Sequence, residues 1–181
     1  MRRSKTPLTP EVEFMTAKQK ERIQLKIAKI RKELAADKKR WGGYYDDSRG
    51  LRYLPPELYL RIQDYSGALR YFNWFSKNFP DDSGYPVFLF EWVITLFKTG
   101  RLKEAKAKTL QTDLANSWIM PAFLQIRYSR PPAKIFSGWQ TPEVAEEMSY
   151  SNDDAELADF AAWLRDFVSS AEFTGLRGKL L

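Results

Sequence analysis

The chain has 181 residues, 44% of them hydrophobic and 15% aromatic, which is enough apolar material for one packed domain, with or without a helical extension. It contains neither cysteine nor histidine, which excludes disulfides, thiolate chemistry, Ser-His-Asp and Cys-His catalysis, and nearly every zinc or haem site. The net charge of +6 is uneven: residues 1–50 carry +7, residues 51–110 carry +3 and residues 111–181 carry −4, so a basic front and an acidic rear flank an apolar middle.

Residues 1–10 are basic and broken by Pro7 and Pro10, which predicts a disordered leader with no apolar segment of a signal peptide. Residues 11–43 predict a long basic amphipathic helix, running to about residue 40. Ile23, Ile27, Ile30 and Leu34 recur in steps of four, three and four and so share a face, with Trp41 one heptad further on. Gly42 and Gly43 supply the left-handed conformation that ends a helix. Lys18, Arg22, Lys26 and Lys29 line another side. Such a row suits a phosphate backbone or an acidic partner, and equally a solvated face opposite the isoleucines. Residues 44–50, with Asp46 and Asp47, read as a loop.

Four helices are expected next, over residues 56–62, 65–78, 85–98 and 102–112. Residues 80–84 interrupt them, with Asp82 or Ser83 placed to cap the helix that follows. The paired acids Asp46–Asp47 and Asp81–Asp82 belong to turns, and no nucleophile or base accompanies them. Tyr71, Phe72, Trp74, Phe75 and Phe79 read as core, with one or two free to anchor at a groove. The helix over 85–98 is apolar nearly all round, which predicts burial on several sides and a place at the centre of the fold. Its longest apolar run, residues 86–90, stops at Glu91 and is far too short to cross a bilayer.

The pattern loosens after residue 112. Pro121 breaks or restarts a helix heading toward Tyr128, and residues 129–132 must be irregular. Thr141, Pro142 and Glu143 look like a helix start. A last helix follows Asn152 and Asp153, with an apolar face of Leu157, Phe160, Ala161, Leu164, Phe167, Val168 and Ala171, and the tail from residue 174 is expected to fray. No strand pattern stands out.

One motif occurs twice, 37 residues apart, over residues 60–68 and 97–105. Each copy has an apolar helix end, a short polar turn, a hydrophobic residue (Tyr65, Leu102) and an alanine three positions later (Ala68, Ala105). A small side chain there lets two helices joined by so short a turn cross closely. Repeats of this length form solenoid units that must stack on neighbours to bury their apolar faces.

The motif resembles the tetratricopeptide repeat over residues 51–117. Tyr59, Leu60, Gln63, Asp64, Tyr65, Ala68, Phe72 and Pro80 carry the likeness in the first unit, and Pro86, Leu96, Phe97, Gly100, Leu102 and Ala105 in the second. Departures are Pro55 and Pro56, which shorten the first helix, and Ser117 where a closing proline would fall. The resemblance implies an all-α superhelical centre whose concave surface takes a peptide or a partner's helix. Tyr53, Glu57 and Arg61 of unit one and Phe90, Glu91, Ile94 and Lys98 of unit two would line it, without the lysines and asparagines of a carboxylate clamp. Two units need caps, for which the long first helix and the C-terminal helical region, residues 118–181, are the candidates. The last helix is expected to dock internally, and the first to project at least partly toward a partner or a second copy.

The expected job is therefore a non-catalytic, cytoplasmic scaffold or adaptor that holds another protein, with no cofactor, metal or membrane partner. Nucleic-acid binding through the basic N-terminal helix is the alternative.

Overall fold

The computed structural model describes residues 15–45, 50–127 and 138–180; the expected leader, the pair Asp46–Asp47 and the irregular stretch 129–132 lie outside them. The described chain is all-α, and its one extended pairing is an isolated bridge between Trp41 and Tyr44.

Helix α1 (Ala17–Arg40) starts later than residue 11, because Thr16 caps it. The Thr16 hydroxyl accepts from the Gln19 amide at 3.2 Å and the Gln19 side chain accepts from the Thr16 amide at 2.6 Å, a reciprocal capping box. Lys38, Lys39 and Arg40 complement the negative end of the helix dipole, and Gly42 and Gly43 follow at positive φ. Residues 16–22 are all exposed, and the helix packs on the body from Ile23 onward. Ile27, Ile30 and Leu34 are buried, and Ile23 and Met15 pack half-buried on the same core, so the apolar stripe is spent inside the molecule against α2 (Pro55–Arg61) and the short 3-10 turn Leu51–Tyr53 before it.

Helices α2 and α3 (Tyr65–Asn78) form one hairpin, and α4 (Pro86–Lys98) and α5 (Leu102–Ala115) a second. Their two turns have the same construction, 37 residues apart. Gln63 and Gly100 both take positive φ, 58° and 75°. Their amides donate to Leu60 and Phe97, each at 2.9 Å, and the next amides, of Asp64 and Arg101, reach back to Tyr59 and Leu96 at 3.0 and 2.8 Å. These bonds satisfy the carbonyls that a helix C-terminus leaves open. Ala68 and Ala105 are fully buried. In the first turn Gly67 adds a close approach: a Cβ there would sit 2.7 Å from the Tyr59 ring and nearer still to the Asp64 carboxylate, which accepts from the Gly67 amide at 2.8 Å.

Asp82 does not cap α4. It closes its own turn by accepting from the Gly84 amide, and binds Arg52 and the Tyr53 hydroxyl, each at 2.7 Å. Tyr85 takes the cap position without a side-chain bond, and Pro86 fills the first helical place, where its missing N–H costs nothing. As expected, α4 is the centre: Phe88, Leu89, Phe90, Val93, Ile94 and Leu96 are all buried.

Pro121 sits inside a short helix, α6 (Ile119–Phe123), which does not run on toward Tyr128, because Gln125 turns left-handed at φ 53°. The start at Thr141 yields a single turn, α7 (Pro142–Ala145), with no side-chain cap bond. The expected last helix is two, α8 (Ala158–Val168) and α9 (Ala171–Gly178), because Ser170 caps a new start by accepting from the Phe173 amide. The tail does not fray where α9 continues to Gly178. Phe173 is buried, and the buried Arg177 donates to Asp113 of α5 at 2.5 Å. Phe90, Phe97, Phe123 and Phe160 meet ring to ring, which joins α4, α6 and α8 in one core.

Candidate functional site

The seven residues expected to line a concave surface are divided by this packing. Phe90 and Ile94 are wholly buried, and the Phe90 ring is met by those of Phe123, Tyr150 and Phe160. The C-terminal region thus occupies much of the face that the repeat analogy leaves open. Lys98 is also engaged: its ammonium donates to the Glu156 carbonyl and the Asp159 carboxylate at 2.5 Å each and lies 5.7 Å from the centre of the Tyr65 ring.

Tyr53, Glu57, Arg61 and Glu91 instead border two adjoining clefts between α2, α4 and the segment after α7. The inner cleft, about 130 Å³, is lined by Tyr53, Glu57, Tyr85, Glu91, Glu147 and Tyr150 among others. The outer one, about 330 Å³, is lined by Glu57, Arg61, Tyr65, Tyr150, Asp154 and Glu156 among others. Glu57, Ser149 and Tyr150 border both.

Local bonds hold the wall of these clefts in place. Asn152 donates through its backbone to Phe123 at 3.1 Å and through its side chain to Leu124 at 2.9 Å, which pins the segment to the end of α6. Ser149 donates to Glu57 at 2.8 Å, and the Tyr85 hydroxyl donates to Glu147. All four of these residues line the inner cleft.

Acidic side chains border both clefts, with Arg61 on the outer one and no lysine or arginine on the inner. Glu91 is 3% exposed, and its Oε2 has no hydrogen-bond partner. The hydroxyls of Tyr65 and Tyr150 are buried and unpartnered as well, so three of the five such side-chain atoms among the described residues belong to residues lining the two clefts. Burial pushes the Glu91 carboxyl well above its usual range, and the negative charge of Glu57 adds to this. Burial likewise raises Tyr150, helped by Glu91 and Glu57, and moves Tyr65 up to about 12. Clefts with acidic walls and spare acceptors attract cations. Among the described residues no group of three or more His, Cys, Asp and Glu side chains is arranged to hold a metal ion.

Sequence reasoning missed Tyr65, Glu147, Ser149, Tyr150, Asp154 and Glu156, which complete the clefts. The residues from 147 to 156 have no helical period to draw attention to them. Their signal is local acidity, with Glu147, Asp153, Asp154 and Glu156 close in sequence.

A second surface lies on α1. Lys18, Arg22, Lys26 and Lys29 are all exposed. None of them lines the open pocket of about 580 Å³ between α1 and α3, which is bordered by Arg31, Lys32, Lys38, Lys39, Tyr71 and Trp74, with Tyr45 and Asn78 at one end. No carboxylate borders that pocket. Lys38 and the Tyr45 hydroxyl both donate to Asn78, at 2.9 and 3.1 Å.

No known protein family matches this chain, and no curated protein or solved structure matches it. The tetratricopeptide likeness rests on the residues quoted for it. No helix among the described residues is long and apolar enough to cross a membrane.

Proposed function

We propose that the protein is a non-catalytic interaction module with a tetratricopeptide-like centre, acting as a scaffold or adaptor that holds another protein in the paired clefts beside α2. The supporting observation is the convergence of Tyr53, Glu57, Arg61 and Glu91 on open acidic clefts whose lining residues carry three unsatisfied polar atoms. Buried polar groups are ordinarily paired, so three unpaired ones beside the same clefts mark this region as unusual. The two equivalent turns support the repeat reading. The partner surface is basic by complementarity, and the setting is cytoplasmic, consistent with a chain that has no cysteine for disulfides. Self-association through α1 is less favoured, because its apolar stripe is already covered.

Affinity capture on tagged protein tests this, with nuclease present. A bound protein should be retained by the wild type and by a Lys18, Lys26, Lys29 to glutamine variant, and lost by a Glu57→Lys, Glu156→Lys variant.

The second reading, nucleic-acid binding, is favoured by the carboxylate-free pocket between α1 and α3, where four cations surround Tyr71 and Trp74. It predicts the reverse outcome: capture abolished by nuclease, with affinity falling steeply as salt is raised.

A further inference from the structure

Glu91 is an expensive residue for its position. It lies in the second turn of α4, too far from Pro86 to cap the helix, and its neighbours Phe90, Val93 and Ile94 are buried apolar side chains. A buried carboxyl with an unpaired oxygen costs stability, and a hydrophobic residue there would pack without that cost. What distinguishes the site is the small cleft that Glu91 borders. Its other walls include the rings of Tyr53, Tyr85 and Tyr150 and the carboxylates of Glu57 and Glu147, and no lysine or arginine lines it.

We propose that the inner cleft binds an organic ammonium group, the tip of a lysine side chain of the partner protein, with Glu91 as counter-ion and the tyrosine rings as walls. This rests on the reading of the clefts as the partner-binding surface. The donor count favours an ammonium. It carries three N–H donors, and three carboxyl-bearing residues, Glu57, Glu91 and Glu147, border the cleft. A guanidinium is a wider planar fork of five donors, for which a cleft of about 130 Å³ leaves less room. Aromatic walls add attraction between a cation and the ring faces. The volume, about 130 Å³, holds a lysine tip without its backbone.

Proton linkage gives the site a signature. The Glu91 carboxyl is pushed well above its usual range, by burial first and the charge of Glu57 second. The titratable groups around it are Glu57 from α2, Tyr53 from the 3-10 turn, Tyr85 at the start of α4, and Glu147 and Tyr150 from the segment after α7. None of them is a cation. An arriving ammonium therefore displaces the Glu91 proton, and its affinity rises with pH until Glu91 is ionised without help.

The probe is n-butylammonium, with n-butanol as its neutral counterpart, titrated into the intact chain by NMR from pH 5 to 8.5. Butylammonium should bind while butanol does not, with affinity rising about tenfold per pH unit before it levels off. Glu91→Gln should remove that pH dependence and weaken binding by at least about tenfold. Gln matches the protonated acid in shape, so the fold should persist, and Tyr150→Phe gives an independent, few-fold loss. Equal binding of butanol, or an affinity and pH profile untouched in Glu91→Gln, would overturn the proposal and leave the cleft to ordered water. If butylammonium fails while a captured protein still depends on Glu57 and Glu156, the lysine assignment falls and the module reading survives. If butylammonium binds and no protein is captured, the cleft stands without the adaptor role.

Discussion

Two of the three buried carboxyl groups among the described residues, Asp113 and Glu91, are kept in opposite ways. Asp113 of α5 has the Arg177 guanidinium at 2.5 Å, a buried ion pair that fastens α9 to the body. Glu91 has no cation beside it, and burial pushes its carboxyl well above the usual range. A raised carboxyl pKa means that the folded chain keeps a proton which the unfolded chain releases above the ordinary value of 4.5. The stability of the fold with respect to this group is complete below pH 4.5 and is lost as pH rises toward the raised folded value. Glu91→Gln cannot ionise, so its melting temperature should match the wild type near pH 4.5 and exceed it progressively toward pH 8. Thermal melts at pH 4.5, 6 and 7.5 check this, and a constant difference would contradict it. Glu91 was legible in the sequence as an acid interrupting an apolar run. The Asp113–Arg177 pair was not, because its members are 64 residues apart and Arg177 falls in a glycine-containing tail that looks ready to fray.

At the scale of elements, what the sequence made legible was the local chemistry. The ends of α3 were expected where they occur, since Asp64 and Pro80 mark them. The repeated motif located both hairpin turns to the residue. The failures lie where a longer-range tie decides. Pro121 suggested a helix restart, but the chain leaves α6 within a turn at a left-handed Gln125, and Asn152 then bonds to the carbonyls at that end. The equivalence of the two hairpin turns has an energetic consequence. Gly100 adopts its positive φ without strain, whereas Gln63 takes the same conformation with a Cβ, at a cost of about 1–2 kcal/mol. Part of any gain from glycine is returned as unfolded-chain entropy. Gln63→Gly should therefore raise stability by about 0.5–1 kcal/mol and Gly100→Ala should lower it by about 1 kcal/mol. Urea unfolding of both variants checks the pair. Opposite signs are required, and equal signs would mean that the turns are not equivalent.

For the molecule as a whole, both ends of the chain are used as covers. The charge asymmetry was legible from composition, but which part of α1 docks on the body was not. An isoleucine stripe looks the same whether it meets its own core or a partner. Ile27, Ile30 and Leu34 settle it by being buried in the common core. Each such side chain contributes about 1.5–3 kcal/mol, so together they approach the whole stability of a typical domain. Deleting residues 1–40 should abolish cooperative melting by circular dichroism rather than leave a folded core. A sharp transition in the truncated chain would show that α1 is dispensable.

The burial of α4 on all sides also bears on how the chain is made. The ring of Phe90 is finally covered by Phe160, which is synthesised 70 residues later. At about 5–20 residues per second, the growing chain carries that phenylalanine uncovered for several seconds. During that interval the nascent chain presents an apolar surface of the kind that chaperones recognise, and its final partner at that face is its own C-terminal region.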